Sequence, residues 1–148
     1  MYKKILVPLD GSELAESILP QVVPLAKCMD AEIVLLRIVS LPVSAYLVAT
    51  DPRLAIDIRE DAEGDAFDYL NGIAAKLRAE GIKSSVEIGT GVVAETIQDF
   101  AKNSRVDLIA MSTHGRGGLA RLMIGSVADH LVRNSHLPVL LIRPQSKK

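Results

Sequence analysis

The run Ile109-Ala110-Met111-Ser112-Thr113-His114-Gly115-Arg116-Gly117-Gly118, closed by Gly125-Ser126, holds the residue types best suited to gripping an anion. An apolar strand ends, a glycine-rich loop follows, and Ser126-Val127-Ala128-Asp129 opens a helix with a capping-box pattern. Such a loop can bring backbone N–H groups and a helix N-terminus to one point, where oriented donors and the positive end of the dipole hold a phosphate. Arg116 and Arg121 flank the loop and could reach phosphate oxygens, a placement that an ordinary solvated arginine explains equally well. His114 is placed to order the loop through its ring hydrogen bonds, while His130 and His136 are expected at the surface or at a helix end. The histidines have no metal-ligand spacing and no cysteine partner, so neither a metal centre nor a hydrolytic triad can be drawn.

The nucleotide motifs in the chain conflict. A P-loop requires GxxxxGK followed by Ser or Thr, and no lysine occurs from Asn103 to Gln145, so residue inventory excludes Walker-type phosphoryl transfer. Two weak dinucleotide fingerprints occur, Gly89-x-Gly91-x-x-Ala94 and Gly115-x-Gly117-x-x-Ala120, and neither follows the first strand. The fingerprint also wants an acidic residue about 20 positions on, at the end of the next strand. Asp107 instead begins its strand, which makes Gly89 and Gly91 turn glycines. A phosphoacceptor receiver plan would share Asp10 after strand one and Arg143-Pro144 after strand five, yet strand three runs into Gly89-Thr90-Gly91 where that chemistry needs a carboxylate. Asp10, just before Gly11-Ser12, keeps two readings: a ribose-binding carboxylate, or a turn acceptor and helix cap.

The elements that must position these residues are five short β-branched runs, predicted at 4–9, 32–39, 84–88, 107–111 and 138–143. The first helix is predicted to begin near Ser12 with Leu14, Ile18, Val22 and Leu25 inward, kinked at Pro20 and Pro24 where a backbone donor is missing. The second, 53–80, presents Ile58, Ala62, Tyr69, Ile73 and Leu77 at helical spacing and stops at Gly81, where a left-handed residue belongs. A third spans 93–103. Continuous apolar strands joined by helical crossovers predict a parallel sheet covered on both faces, the α/β class, as a five-stranded open sandwich. Ligands in such sheets bind outside the carboxyl ends of the strands, where strand order reverses. That rule selects Pro8-Leu9-Asp10-Gly11-Ser12 and the glycine-rich run. The segment 40–52 is apolar yet irregular, long enough for a lid or a partner surface.

With 148 residues, 49% of them apolar, the chain is expected to form one domain, 1–148, whose core needs neither metal nor disulfide. The 17 basic and 18 acidic residues are scattered, and the aromatics stop at Tyr2, Tyr46, Phe67, Tyr69 and Phe100. Neither a phosphate-tracking stripe nor a base-stacking platform can be drawn, so nucleic acid is not an expected partner. No signal-peptide layout follows Met1 and no apolar stretch reaches the roughly 18 residues of a membrane span, so a cytoplasmic protein without membrane contact is expected. Cys28, the only cysteine, cannot form an internal disulfide, and its apolar neighbours predict a buried packing role.

The chain resembles the universal stress protein family over nearly its whole length. The likeness rests on Lys4-Ile5-Leu6-Val7-Pro8-Leu9-Asp10-Gly11-Ser12, on Ala31-Glu32-Ile33-Val34-Leu35-Leu36-Arg37-Ile38-Val39, on the run from Asp107 to Gly118, and on Gly125-Ser126-Val127-Ala128 leading to Leu137-Pro138-Val139-Leu140-Leu141-Ile142-Arg143-Pro144. The family's ATP-binding branch is similar in its G-2x-G-9x-G-[ST] signature, which falls on Ser112, Gly115, Gly125 and Ser126, with Ser112 in place of the first glycine. In the family that position packs against the ribose, where an added Cβ and hydroxyl would crowd the sugar or donate to it.

The resemblance implies an adenine nucleotide alpha hydrolase-like sheet of order 3-2-1-4-5. It implies a nucleotide site in which Asp10 binds ribose hydroxyls, the Ile38 backbone reads the adenine edge, and Pro8 and Met111 wall the base. Gly115, Gly125, Ser126 and Val127 would cradle the phosphates with backbone donors, helped by the Ser126 hydroxyl, and Leu9, Ser112, His114, Arg116 and Gly118 complete the implied set. ATP is the implied ligand, with AMP or ADP as alternatives and Mg²⁺ as an optional companion. Stress-response regulation rather than turnover is implied, by a homodimer or higher oligomer. Strand five adds its own reason for self-association, because an apolar edge strand leaves backbone groups unpaired. Two alternatives stay open: a member without nucleotide that acts through dimerisation and partner contacts, and a slow ATPase or a protein that phosphorylates itself on Ser126 or Thr113. For the last, the sequence shows no general base near those hydroxyls.

Overall fold

The computed structural model describes residues 1–40, 50–114 and 124–144. Five strands, β1 (Lys4–Pro8), β2 (Glu32–Val39), β3 (Ser84–Thr90), β4 (Leu108–Ser112) and β5 (Val139–Ile142), pair in parallel in the order β3-β2-β1-β4-β5. The helices between them are α1 (Glu13–Glu16), α2 (Leu19–Met29), α3 (Pro52–Ala79), α4 (Val93–Asn103) and α5 (Ser126–Asn134). Strand order therefore reverses between β1 and β4, and the loops leaving these two parallel neighbours open at the same carboxyl end of the sheet.

Alternation along each strand sorts its apolar residues onto two faces. Ile5, Val7, Ile33, Leu35, Leu108 and Ala110 pack with Ile18, Val22, Leu70 and Ala74 of the α1–α3 layer. Leu6, Val34, Leu36, Ile109 and Met111 pack instead with Ile97, Ala101, Ala128 and Leu131 of α4 and α5. Because both faces are covered, Ile5, Leu6 and Val7 are buried in succession, and each such side chain stabilises the fold by about 1.5–3 kcal/mol relative to exposure. Asp107 fastens the start of β4 to the N-terminus: its Oδ2 accepts the backbone N–H groups of Lys3 at 2.7 Å and Lys4 at 2.9 Å.

Local chemistry explains where the elements depart from expectation. The single kinked helix expected from Ser12 is two helices. Ser12 caps α1 by accepting the Ala15 N–H at 3.1 Å, and the chain breaks after Glu16, where the Ser17 hydroxyl donates to the Leu14 carbonyl at 2.6 Å. Pro20 then falls in the first turn of α2, where its missing N–H costs nothing, and only Pro24 lies inside the helix. The break leaves Leu14 exposed while Ile18 and Val22 stay buried. Cys28 is exposed on α2 rather than packed, a correction to the buried role. Gly89 is not a turn residue but lies within β3, where a Cβ would stand 2.7 Å from Ile38 Cδ1; Gly91, with φ +126, is the turn glycine.

Candidate functional site

The Leu9 N–H donates to Leu36 O at 2.9 Å, the Thr113 N–H to Ile142 O at 2.8 Å, and the Gly125 N–H to Thr113 O at 2.7 Å. These bonds fix the β1 and β4 exits and the start of α5 around one cavity of about 620 Å³ at the carboxyl ends of the strands. Of the residues predicted for the site, Pro8, Leu9, Asp10, Ile38, Met111, Ser112, His114, Gly125, Ser126 and Val127 all line it. Gly115, Arg116 and Gly118 lie outside the described residues, as do Arg121 and most of the 40–52 segment.

The end of the cavity expected to grip an anion differs from its sequence pattern in one useful respect. Ser126 does not cap α5. Gly125 is the cap, with no side-chain bond, and the Asp129 carboxylate pairs with Arg133 Nε at 2.9 Å instead of reaching back. The first intrahelical bond joins the Asp129 N–H to Gly125 O, so the amides of Ser126, Val127 and Ala128 have no acceptor inside the helix. A capping box would have consumed donors there; its absence leaves them directed out of the helix start. Gly125, by contrast, spends its own N–H on Thr113 O, which removes it from the expected set of phosphate donors. A Cβ on Gly125 would stand 3.0 Å from that carbonyl, which explains the glycine without invoking a ligand.

The serine in the signature's first glycine position is buried, and its hydroxyl turns into the loop: Oγ donates to His114 O at 2.8 Å and accepts the His114 N–H at 3.3 Å. Thr113 Oγ1 and His114 Nδ1 lie 2.9 Å apart, so a candidate base does stand beside the Thr113 hydroxyl, contrary to the sequence expectation. His114 Nε2 is buried without a hydrogen-bond partner among the described residues. At the opposite wall, Asp10 Oδ1 accepts both the N–H of Ser12, at 2.9 Å, and its hydroxyl, at 2.6 Å. The turn-acceptor role of Asp10 is thus present in the structure.

Several wall residues escaped the sequence pattern as site residues, among them Arg37, Asp65 and Val93. Arg37 carried a visible signal, a lone charge near the carboxyl end of the otherwise apolar run Ile33-Val34-Leu35-Leu36. Ala62, on the predicted inward stripe of the helix, also lines the cavity, whereas Asp65 carried no signal, since α3 is rich in acidic residues and only its rotational setting decides which of them faces the cavity. Among the described residues no His, Cys, Asp or Glu cluster is arranged to hold a metal ion.

The model of the universal stress protein family matches residues 1–143. The chain belongs to the universal stress protein family. This universal stress protein is similar to universal stress protein MJ0531 of Methanocaldococcus jannaschii, at 32% identity over 148 residues that cover 100% of this chain and 86% of that one. Among solved structures, that of hypothetical protein MJ0577 matches with a TM-score of 0.87 at 28% identity over 99% of both chains. A universal stress protein family protein of Arabidopsis thaliana, solved with AMP bound, matches with a TM-score of 0.71 over 97% of this chain and 93% of that one. At 17% identity that last likeness is one of fold. No helix among the described residues is long and apolar enough to cross a membrane.

Proposed function

We propose that this universal stress protein is a single-domain, cytoplasmic regulatory protein that binds an adenine nucleotide, ATP above AMP or ADP, with Mg²⁺ accompanying the phosphates, and acts as a homodimer. The observation that carries the reading is the meeting of the β1 exit and the α5 N-terminus across one cavity of about 620 Å³, within the size range of small-molecule sites. Asp10 would take the ribose hydroxyls, the Ile38 backbone the adenine edge, and Pro8, Leu9 and Met111 the faces of the base. The amides of Ser126 and Val127 would hold the phosphates, with Gly115, Arg116 and Gly118 contributing from the glycine-rich loop. The AMP-bound structure from Arabidopsis thaliana supports the ligand class at the level of shared fold. Turnover is expected to be absent or very slow.

Isothermal titration of nucleotide-free protein tests the reading, together with mass spectrometry of nucleotide released by denaturing freshly purified protein. Binding of ATP, lost when Gly115 is replaced by Val, is the expected result. No heat with ATP, ADP or AMP at millimolar concentration would move the assignment to a member that works without nucleotide.

A further inference from the structure

We infer that Arg37 is a positioning residue for the ribose end of this site, holding the Asp10-Gly11-Ser12 turn while Tyr69 and Glu16 hold Arg37 in place. The inference rests on the nucleotide reading above and adds to it a set of residues outside the signature motif. The Arg37 guanidinium lies over the Tyr69 ring, 5.2 Å from its centroid. Its Nη1 stands 2.6 Å from the point that a Cβ on Gly11 would occupy. The Tyr69 hydroxyl donates to Glu16 Oε1 at 2.8 Å, and Glu16 belongs to α1, whose cap Ser12 gives two hydrogen bonds to Asp10. The links close into a ring, from Asp10 through Ser12 and α1 to Glu16, Tyr69, Arg37 and back to Gly11.

Each link has a chemical reason. Gly11 adopts φ +86 and lacks a side chain, so a guanidinium can lie against the turn there. A planar guanidinium can stack on a tyrosine face and still direct N–H groups sideways, whereas an ammonium cannot do both. Burial, and then the hydrogen bond to Glu16, push the Tyr69 phenol pKa upward, which keeps the hydroxyl a donor; Arg37 and Asp10 act on it with opposite signs, so these charges share one neighbourhood. A charge-assisted hydrogen bond from a ribose hydroxyl depends on the carboxylate's orientation. Asp10 is oriented by Ser12 on one oxygen, and the Arg37 guanidinium lies against its turn at Gly11. Loss of Arg37 should therefore be felt by the ribose hydroxyls and not by the rest of the nucleotide.

The experiment compares ATP with 2′,3′-dideoxy-ATP by isothermal titration on nucleotide-free wild type, Arg37→Met, Arg37→Lys and Tyr69→Phe. Wild type should prefer ATP. Arg37→Met and Arg37→Lys should each weaken ATP roughly tenfold while leaving the dideoxy analogue within about twofold, and Tyr69→Phe should give part of that loss. Tyr69→Phe keeps the stack and serves if an Arg37 variant does not fold. An equal loss for both nucleotides, or an unchanged preference for ATP, would overturn the positioning role and leave the nucleotide reading standing. A wild type that binds neither nucleotide refutes that reading, and this inference with it.

Discussion

In the proposed site Asp10 would carry two demands on one carboxylate, since Oδ1 already receives two donors from Ser12. Asp10→Ala should therefore weaken nucleotide binding by about 1.5–3 kcal/mol, the worth of a charged hydrogen bond, and cost the α1 turn about 1 kcal/mol in addition. Titration calorimetry beside thermal unfolding separates the two, and a stability loss with unchanged affinity would reduce Asp10 to its turn role. At Ser112 the hydroxyl is committed to the His114 backbone, so Ser112→Gly should leave ATP affinity unchanged and lower stability by about 1 kcal/mol. Asp107 makes a pH prediction. The backbone N–H bonds from Lys3 and Lys4 hold its carboxyl below the usual carboxylate range. A depressed folded pKa contributes stability that is present above the unfolded value, about 3.9, and is lost as pH falls through the folded one. Wild type should thus exceed Asp107→Ala in stability at neutral pH, with the gap closing in acid; a gap independent of pH would show that packing, not charge, is responsible.

Single elements show which boundaries a sequence can state. α3 ends as a Schellman motif, with Gly81 N–H on Arg78 O at 2.9 Å, Ile82 N–H on Leu77 O at 3.0 Å, and Gly81 at φ +81 in otherwise open space. Gly81→Ala should cost about 1 kcal/mol through backbone strain alone, whereas Gly64→Ala and Gly72→Ala, in the helix body with nothing within 4 Å, should each stabilise by about 0.5–1 kcal/mol. Chemical denaturation of the three variants checks the opposite signs. The end of α3 was legible because Gly81 and the apolar periodicity agree there, and α4 was legible from periodicity alone, since its first residue follows Val92, which gives no side-chain cap. The break between α1 and α2 was legible only in part: Pro20, expected to kink the helix, offers no N–H to the Glu16 carbonyl, whereas the Ser17 hydroxyl bond to Leu14 O leaves no mark on the periodicity. The same division holds at the site. The loops of Asp10 and Gly125-Ser126 announce themselves by glycine and by strand-end position, but Asp65 and the Arg37–Tyr69 stack exist only once α3 has docked.

At the scale of the whole molecule, β5 is one outer edge of the sheet, and its bonding pattern shows what that edge offers. Pro138 O and Ile142 O accept from Ile109 and Thr113 on the β4 side, so the alternate residues Val139 and Leu141 turn their backbone N–H and C=O groups to the side away from β4, where no other strand pairs among the described residues. Val139, Leu140, Leu141 and Ile142 are all only half-buried, and Val132 on the adjacent α5 is exposed. An apolar edge with unpaired backbone groups is an association hazard unless it is covered, and a second copy related by a two-fold axis would cover it with the same surface. Size-exclusion chromatography with light scattering should accordingly report a dimer or a multiple of it at micromolar concentration. Leu141→Pro should dissociate that assembly while leaving each chain folded, because the donor it deletes faces outward and the pairing with β4 does not use it. Leu140→Pro is the contrasting variant, since its donor lies on the β4 side and its loss should lower the stability of the chain itself. A wild-type mass equal to one chain throughout the concentration range would refute pairing through β5, and dissociation by Leu140→Pro but not by Leu141→Pro would show that association depends on intact sheet packing rather than on the outward backbone groups.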